Sequence, residues 1–174
     1  KDGYYMKKLY CVISTALLLS VFSSVAFAAT KEIEIDGEPV MIETFGNAEL
    51  IDPVYIPEDV PDAQSVSNFE FYINDKTETD AITNEHAKWQ VQTQAHLKNY
   101  KTGEKTNDAR YTYTVSVVKG SRVLASYKGK TDNVYGGLTF SKLPTNVNLF
   151  IRITAGSHPA YDLIEGYGTT KFLD

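Results

Sequence analysis

Residues 88–97 read Lys-Trp-Gln-Val-Gln-Thr-Gln-Ala-His-Leu and show the most regular alternation of side-chain polarity in the chain. The odd positions, from Trp89 to Leu97, are apolar apart from one threonine, and the even positions, from Lys88 to His96, are all polar. Successive side chains of an extended strand point to opposite faces, so this pattern predicts a strand with one dry and one wet face. We expect it to be the central core strand of an antiparallel β protein.

Turn signals separate further strand-like segments between residue 69 and the end of the chain. Apolar residues alternate or cluster in residues 69–73, 110–118, 122–127, 138–143, 148–154 and 162–173. Gly120-Ser121 predicts a two-residue type II′ turn, because glycine accepts the positive φ that its first central position requires. In the resulting register, Val117 faces Leu124 and Val118 faces Val123.

The chain contains no long segment with a 3.6-residue apolar stripe, so we expect an almost entirely β mature protein. Short strands with turn signals about every 8–12 residues favour an antiparallel sandwich. In the last of these strands, we expect Gly166 and Gly168 to break the pairing.

Five segments of the predicted sandwich follow one another along the chain. They are Trp89, Tyr111-Thr-Tyr113, Leu138-Thr-Phe-Ser-Lys-Leu-Pro144, Leu149-Phe-Ile-Arg-Ile-Thr-Ala155 and Gly166-Tyr-Gly-Thr-Thr170. Their order resembles that of a fibronectin type III or related immunoglobulin-like domain over residues 69–173. The resemblance implies a sandwich of about seven strands, and it implies architecture alone, because such sandwiches carry unrelated functions.

The N-terminal part of the chain has the parts of a secretory signal peptide. Met6-Lys7-Lys8 gives a basic start, and Leu9–Val25 is an uncharged apolar run. Ala26-Phe27-Ala28 then places small residues at the two positions that signal peptidase reads, with cleavage expected before Ala29. A transmembrane helix is the alternative, but the run is short for a span and no basic flank follows it. We therefore expect residues 6–28 to be a signal peptide and the mature protein to be secreted.

The remaining chain divides into three parts. Residues 1–5 precede the expected initiator methionine, and we interpret them as translated upstream sequence that the native product lacks. Residues 29–67 contain a predicted β-hairpin around Asp36-Gly37, followed by an acidic segment whose regularly spaced prolines oppose both helix and central strand. Residues 68–174 form the predicted sandwich. The hairpin either caps its own domain or pairs with another chain.

Charge is distributed unevenly along the chain. Residues 32–75 contain twelve acidic residues and no Lys or Arg, whereas residues 76–174 contain thirteen basic and nine acidic residues. We expect the acidic segment 32–62 either to lie against the sandwich or to supply a strand to a neighbouring chain. Its apolar residues between Ile51 and Val60 favour packing along the domain surface. The chain has no dense basic cluster, which argues against a nucleic-acid partner.

Cys11 is the one cysteine of the chain and lies in the expected signal peptide. The mature chain would then have no thiol, which excludes disulfides, cysteine nucleophiles and zinc–thiolate sites. A secreted domain without disulfides depends on its core, and about 146 residues are enough to form one.

The three histidines predict no shared site. His86 and His96 are ten residues apart, about 33 Å along an extended strand, so they cannot bind one metal ion unless the strand breaks between them. We expect both to be solvated. His158 lies near Ser157 and Asp162, but a catalytic triad is assembled from separate elements and not from neighbours in sequence.

The acidic residues give a weak indication of chemistry. Asp75, Glu78 and Asp80 place three carboxylates in one loop, which we interpret as solvated, with calcium binding as the alternative. Glycoside hydrolysis needs two carboxylates that face one cleft, and Glu70 is the clearest acid on a predicted strand. The sequence predicts no catalytic residue, no metal ligand and no cofactor-binding residue.

Tyrosines are frequent in the predicted strands and loops. They include Tyr111, Tyr113, Tyr127, Tyr135, Tyr161 and Tyr167. Aromatic residues favour strands and half-buried faces, which is the preferred interpretation, and exposed rings that stack on sugars or proteins are the alternative. Gln90, Gln92 and Gln94 add a polar ladder that is available for contact.

We predict a secreted extracellular β-sandwich protein of bacterial origin that acts without catalysis, by binding or assembly at or outside a cell surface. Its ligand is expected to be a protein or a glycan, and the hairpin offers a route to self-association. We expect no cofactor, no nucleic-acid partner and no stable membrane span in the mature form. The alternatives are an extracellular hydrolase of carbohydrate or cell wall and a secreted antagonist similar to a bacteriocin or toxin.

Overall fold

The computed structural model describes residues 28–51 and 68–173, and these residues form thirteen β-strands. In chain order the strands are β1 (Thr30–Ile35), β2 (Glu38–Gly46), β3 (Glu49–Ile51), β4 (Asn68–Ile73), β5 (Lys76–Glu78), β6 (Ile82–Thr83), β7 (Lys88–Asn99), β8 (Lys105–Thr106), β9 (Asp108–Lys119), β10 (Arg122–Thr131), β11 (Gly136–Ser141), β12 (Asn148–Ala155) and β13 (Asp162–Phe172). Within the two described ranges, no helix is long and apolar enough to span a bilayer. Residues 1–5, the predicted signal peptide as far as Phe27 and residues 52–67 of the Pro-rich segment fall outside these ranges.

The strands form two antiparallel sheets. Sheet A has the order β1-β2-β11-β7-β13-β4, and β8 also pairs with β7. Sheet B has the order β3-β10-β9-β12-β5, and β6 also pairs with β12. The predicted all-β antiparallel sandwich is therefore confirmed. There are more strands than the resemblance implied, because the hairpin β1–β2 joins sheet A and four short strands form at the margins.

The strand β7 lies inside sheet A, between β11 and β13. Its odd positions, from Trp89 to Leu97, are buried, whereas its even positions remain partly or fully exposed. The buried side packs into one core cluster with inward residues of sheet B, among them Val115, Val117 and Ile151. The dry and wet faces predicted from the alternation are confirmed.

The predicted hairpin forms at Asp36 and Gly37. These residues have φ values of 55° and 87°, which a two-residue type I′ turn requires and which Asp and Gly tolerate best. On its other side β2 pairs with β11 over six residues, so that Met41 lies opposite Ser141 at one end and Gly46 lies opposite Gly136 at the other. The hairpin thus pairs with the sandwich of its own chain.

The register of β9 and β10 agrees with the predicted one next to the turn and is shifted by one residue beyond a β-bulge. Val118 faces Val123 as predicted, and Gly120 has the positive φ of 57° that the turn needs. The pairing of Val117 with Leu124 is wrong, because a β-bulge makes Val117 face Ala125. A bulge inserts one extra residue into a strand, which lets both Leu124 and Ala125 join the core cluster.

The last strand is continuous. β13 runs without interruption from Asp162 to Phe172, so the prediction that Gly166 and Gly168 break it is wrong. A Cβ on Gly166 would lie 2.0 Å from the ring of Phe71, and a Cβ on Gly168 would lie 2.1 Å from the ring of Phe69. These glycines leave the space that the two rings of β4 occupy.

A polar network crosses the interior between the two sheets. Thr93 Oγ1 of sheet A lies 2.8 Å from the hydroxyl of Tyr113 and 2.8 Å from that of Tyr127, both in sheet B. None of the three residues is more than 1% exposed. Burial raises the pKa of both tyrosines, so their hydroxyls stay protonated and able to donate. These two tyrosines are core residues, as the preferred interpretation predicts.

Candidate functional site

The outward face of sheet A, called the polar face below, carries hydrogen-bonding side chains from four neighbouring strands. It is formed by Asn68, Glu70 and Tyr72 of β4, Glu165, Tyr167, Thr169 and Lys171 of β13, Gln90, Gln92, Gln94 and His96 of β7, and Thr139 of β11. Because side chains alternate along each strand, this face is the wet counterpart of the core face that holds Trp89.

The strand register creates two rows of side chains at one end of the polar face. In the first row, Glu165 of β13 lies between His96 of β7 and Tyr72 of β4. In the second row, Tyr167 of β13 has Gln94 and Glu70 as its neighbours on the same two strands. Directly opposite residues on adjacent strands have close Cβ atoms, so each row is a set of interacting side chains.

A pocket of about 170 Å³ opens between these rows. It is lined by Glu70, Tyr72, Gln94, His96, Lys105, Asn133, Glu165, Gly166 and Tyr167. Tyr72 is 55% exposed and therefore presents its ring to solvent. The lining combines two aromatic rings with carboxylates, side-chain amides and a cation. Gln94, Glu165 and Tyr167 lie on strands that are paired on both sides, whereas Glu70 and Tyr72 lie on the edge strand β4.

Glu165 is the electrostatic centre of the pocket. Its Oε2 lies 3.0 Å from His96 Nε2 and 3.2 Å from Lys105 Nζ, and its Oε1 lies 3.3 Å from Lys98 Nζ. The Glu165 side chain is 11% exposed, and that of His96 is 15% exposed. Such a carboxylate is held in one position by partners on two strands, which fixes the floor of the pocket.

The environment of Glu165 favours its charged form. Desolvation alone would raise the pKa, but hydrogen bonds from His96, Lys105, Lys98 and Tyr72 outweigh it and lower the pKa to about 2. The hydrogen bond to Glu165 also raises the pKa of Tyr72, so the Tyr72 hydroxyl remains a donor. At neutral pH the Glu165 carboxylate is therefore ionised and accepts hydrogen bonds from these neighbours.

Replacing Glu165 with glutamine should remove an acid-sensitive part of the stability. The pKa of Glu165 is lower in the folded protein than its ordinary value of 4.5, so the ionised carboxylate stabilises the fold at pH values above about 5. This stabilisation disappears as the pH falls from about 5 towards 2. Because Lys105 is half exposed and screened by salt, we expect the substitution to lower the free energy of unfolding at pH 7 by about 1–2 kcal/mol. Urea unfolding of both proteins at pH 7, 5 and 3 should show a difference that shrinks with acid. A difference independent of pH would contradict this assignment.

The structure separates the histidines into three environments. The expectation that His96 is solvated is wrong, because β13 places Glu165 opposite it. His86 is exposed, as predicted, and its ring lies 5.3 Å from that of Phe172. His158 contacts the backbone carbonyl oxygens of Pro159 and Asn74.

The three carboxylates that were expected in one loop do not act as one group, and Glu78 is the last residue of strand β5. Glu78 forms an ion pair with Arg152, whose side chain is 2% exposed, whereas Asp75 and Asp80 are exposed. Among residues 28–51 and 68–173, no group of three or more His, Cys, Asp or Glu side chains is arranged to hold a metal ion. Glu70 lies on strand β4, as predicted, and lines the pocket.

Several residues of the pocket were not predicted as site residues. Glu165 is 69 residues from His96 in sequence, and Lys105 comes from the short strand β8 beyond the turn that follows β7. The one signal in the sequence was the alternation of Glu165 and Tyr167 with Gly166 and Gly168, which fits a strand as well as it fits a loop.

Comparison with protein-family models, with curated proteins and with solved structures finds no match to this chain.

Proposed function

We propose that this protein is secreted and binds a glycan without catalysis, through the pocket on the polar face of sheet A. One observation carries the proposal. Tyr72 and Tyr167 border a pocket whose remaining side chains are carboxylates, amides, an imidazole and a cation. The pairing of β4, β13 and β7 positions both tyrosines, both carboxylates, Gln94 and His96.

The chemistry of this lining suits a sugar ring. A pyranose has apolar C–H faces that pack on an aromatic ring and a rim of hydroxyls that both donate and accept hydrogen bonds. Tyr72 offers the exposed ring, Glu70 offers acceptors, and Gln94 and Asn133 offer both donors and acceptors. A few convergent polar groups around an aromatic wall are typical of a site that binds a small ligand.

The dimensions favour one ring in the pocket with further contacts beside it. The pocket volume of about 170 Å³ is below the roughly 300 Å³ at which sites for drug-sized ligands begin. From the pocket, Gln92 and Gln90 continue along β7, and Gln90 Nε2 donates to Thr139 Oγ1 at 3.2 Å. From Gln90 to Gln94 this ladder covers about 13 Å at the usual rise of a strand, which is enough for a further sugar unit.

Replacing Tyr72 with alanine should weaken glycan binding at least tenfold, which corresponds to about 1.4 kcal/mol. The substitution removes the exposed aromatic wall of the pocket. Isothermal titration with tetrasaccharides of N-acetylglucosamine, glucose and xylose would measure the dissociation constants of the full-length protein and the variant.

Tyr100 provides a matched control. Tyr100 is 55% exposed, as is Tyr72, but it does not line the pocket. Tyr100→Ala should leave the affinity unchanged. Equal losses in both variants, or no binding of any tetrasaccharide by the unmodified protein, would contradict the proposal.

A hydrolase acting on carbohydrate is the second candidate, because Glu70 and Glu165 line the same pocket. Glycoside hydrolysis needs one carboxylic acid that is still protonated at the working pH. Glu165 does not meet this need, since its pKa is about 2 and its oxygens are held by three cationic or imidazole groups. Release of reducing ends from the same tetrasaccharides, abolished by Glu70→Gln, would favour the hydrolase over the binding protein.

A further inference from the structure

Most polar groups around the pocket on the polar face already have a partner within the protein. Glu165 accepts hydrogen bonds from one imidazole and two ammonium groups, and the Tyr72 hydroxyl donates to the same carboxylate. The Tyr167 hydroxyl donates to Asn68 Oδ1 at 3.1 Å. These groups are satisfied without a ligand, so they shape the pocket and leave recognition to its other side chains.

Three side chains of the lining have no hydrogen-bond or ion-pair partner in the described part of the chain. They are Glu70, Gln94 and Asn133. The two amides are neutral. Lys105 and Glu165 lie 3.2 Å apart and balance each other, and Lys98, the other cation beside Glu165, lies outside the lining. Glu70 therefore leaves one unbalanced negative charge in the lining.

Glu70 also lines a second pocket, called the edge pocket below, where the edge strand β4 of sheet A meets the edge strand β5 of sheet B. The edge pocket has a volume of about 270 Å³ and is lined by Phe69, Glu70, Phe71, Thr77, Glu78, Thr79, Asp80 and Ile153. Glu78 is paired with Arg152, whereas Asp80 is exposed and forms no ion pair with any described residue. The unpaired charges around Glu70 on this side are therefore negative.

Glu70 stands beside the exposed aromatic wall of the first pocket. Glu70 and Tyr72 are two residues apart on β4, so their side chains leave the same face of the sheet about 7 Å apart. Tyr167 of β13 lies directly opposite Glu70. A sugar ring that packs on Tyr72 can therefore place one of its substituents at the Glu70 carboxylate.

We propose that the site prefers a glycan with free amino groups, such as an oligomer of glucosamine, and that a sugar ammonium binds Glu70; this preference rests on the glycan binding proposed above. An ammonium group has three donors and no acceptor, which matches a carboxylate that lacks a partner. Hydrogen bonds between two charged groups are roughly twice as strong as neutral ones. A hydroxyl or an N-acetyl group brings no charge to Glu70, and a uronic acid brings a charge that Glu70 repels.

Isothermal titration of the full-length protein at about pH 6, where sugar amines are protonated, tests this preference. The ligands are tetrasaccharides of glucosamine, N-acetylglucosamine, glucose and galacturonic acid. The glucosamine tetramer should bind at least about tenfold more tightly than the two neutral tetramers, and the galacturonic acid tetramer should bind most weakly. The preference should shrink as salt is added, because exposed charges are screened.

Two variants locate the preference on the surface. Glu70→Gln keeps the shape of the side chain and removes its charge, so the affinities for the glucosamine and glucose tetramers should come within about twofold of each other. Glu43→Gln is the matched control, because Glu43 is exposed on the same face of sheet A. It lies four strand spacings from β4, about 19 Å, which exceeds the screening length of about 8 Å. This variant should keep the full preference.

Tetralysine separates sugar recognition from attraction of charge alone. It carries at least as many ammonium groups as the glucosamine tetramer but has no sugar ring to pack on Tyr72. It should bind at least about tenfold more weakly than the glucosamine tetramer. Equal affinity for these two ligands would overturn the proposal, because charge alone would then account for binding.

The remaining outcomes distinguish the preference from glycan binding itself. Equal affinities of the natural protein for the glucosamine and glucose tetramers would overturn the amine preference and leave glycan binding in place. A preference that survives Glu70→Gln, or that Glu43→Gln abolishes equally, would overturn the role of Glu70. Absence of binding to all four tetrasaccharides would overturn the glycan-binding function together with the preference.

Discussion

Replacing Thr93 with valine should lower the free energy of unfolding by about 3 kcal/mol. Valine has almost the same shape as threonine, so the packing beside Ala95 and Val91 is kept. The substitution removes the oxygen that lies 2.8 Å from both the Tyr113 and the Tyr127 hydroxyl. Two polar groups in the interior then lose a partner, and each costs about 1–3 kcal/mol when it is left unsatisfied. Urea unfolding followed by circular dichroism would measure the loss.

Two further proteins show whether this loss comes from the network. Thr139→Val, which removes a hydroxyl on the polar face, should cost less than about 0.5 kcal/mol. The triple variant Thr93→Val/Tyr113→Phe/Tyr127→Phe should recover much of the stability, because removing all partners leaves no buried group unsatisfied. A loss below about 1 kcal/mol in Thr93→Val would show that the network contributes little.

Replacing Gly166 with alanine should also destabilise the protein by about 3 kcal/mol. The new Cβ would lie 2.0 Å from the Phe71 ring. That ring cannot move away easily, because it is 2% exposed and packs 5.6 Å from the ring of Tyr113. The strand β13 should therefore shift against β4, which thermal and urea unfolding would both detect.

A smaller side chain opposite the glycine should relieve the clash. In a Phe71→Leu background, Gly166→Ala should cost at least about 1 kcal/mol less than in the natural protein, and a double-mutant cycle gives this coupling directly. Strict additivity of the two changes would mean that the clash with Phe71 is not the cause.

The sequence was most informative where structure depends on neighbouring residues. The alternation from Trp89 to Leu97 predicted the two faces of β7, because the side-chain period of a strand is local. Asp36-Gly37 predicted its turn for the same reason, since those residue types tolerate positive φ. Neither pattern contains information about which strand pairs with which.

The site depends on such long-range pairing. His96 was expected to be solvated because the strand that brings Glu165 beside it lies 69 residues further along the chain. Gly166 and Gly168 were interpreted as interruptions because a glycine that makes room for a ring on the neighbouring strand looks the same in sequence as a glycine that ends a strand. The pocket could therefore be found only once the register of β7, β13 and β4 was known.

Backbone amide mapping by NMR tests the central proposal, glycan binding at the polar face, most directly. Titration of the labelled protein with the N-acetylglucosamine, glucose and xylose tetrasaccharides should perturb the amides of Tyr72, Gln94, His96 and Tyr167 with one of these ligands. The effects should decline along β7 towards Lys88 and be small on sheet B. Perturbations confined to sheet B or to the exposed Tyr100 and Tyr161 would contradict the account, as would an unchanged spectrum with all three sugars.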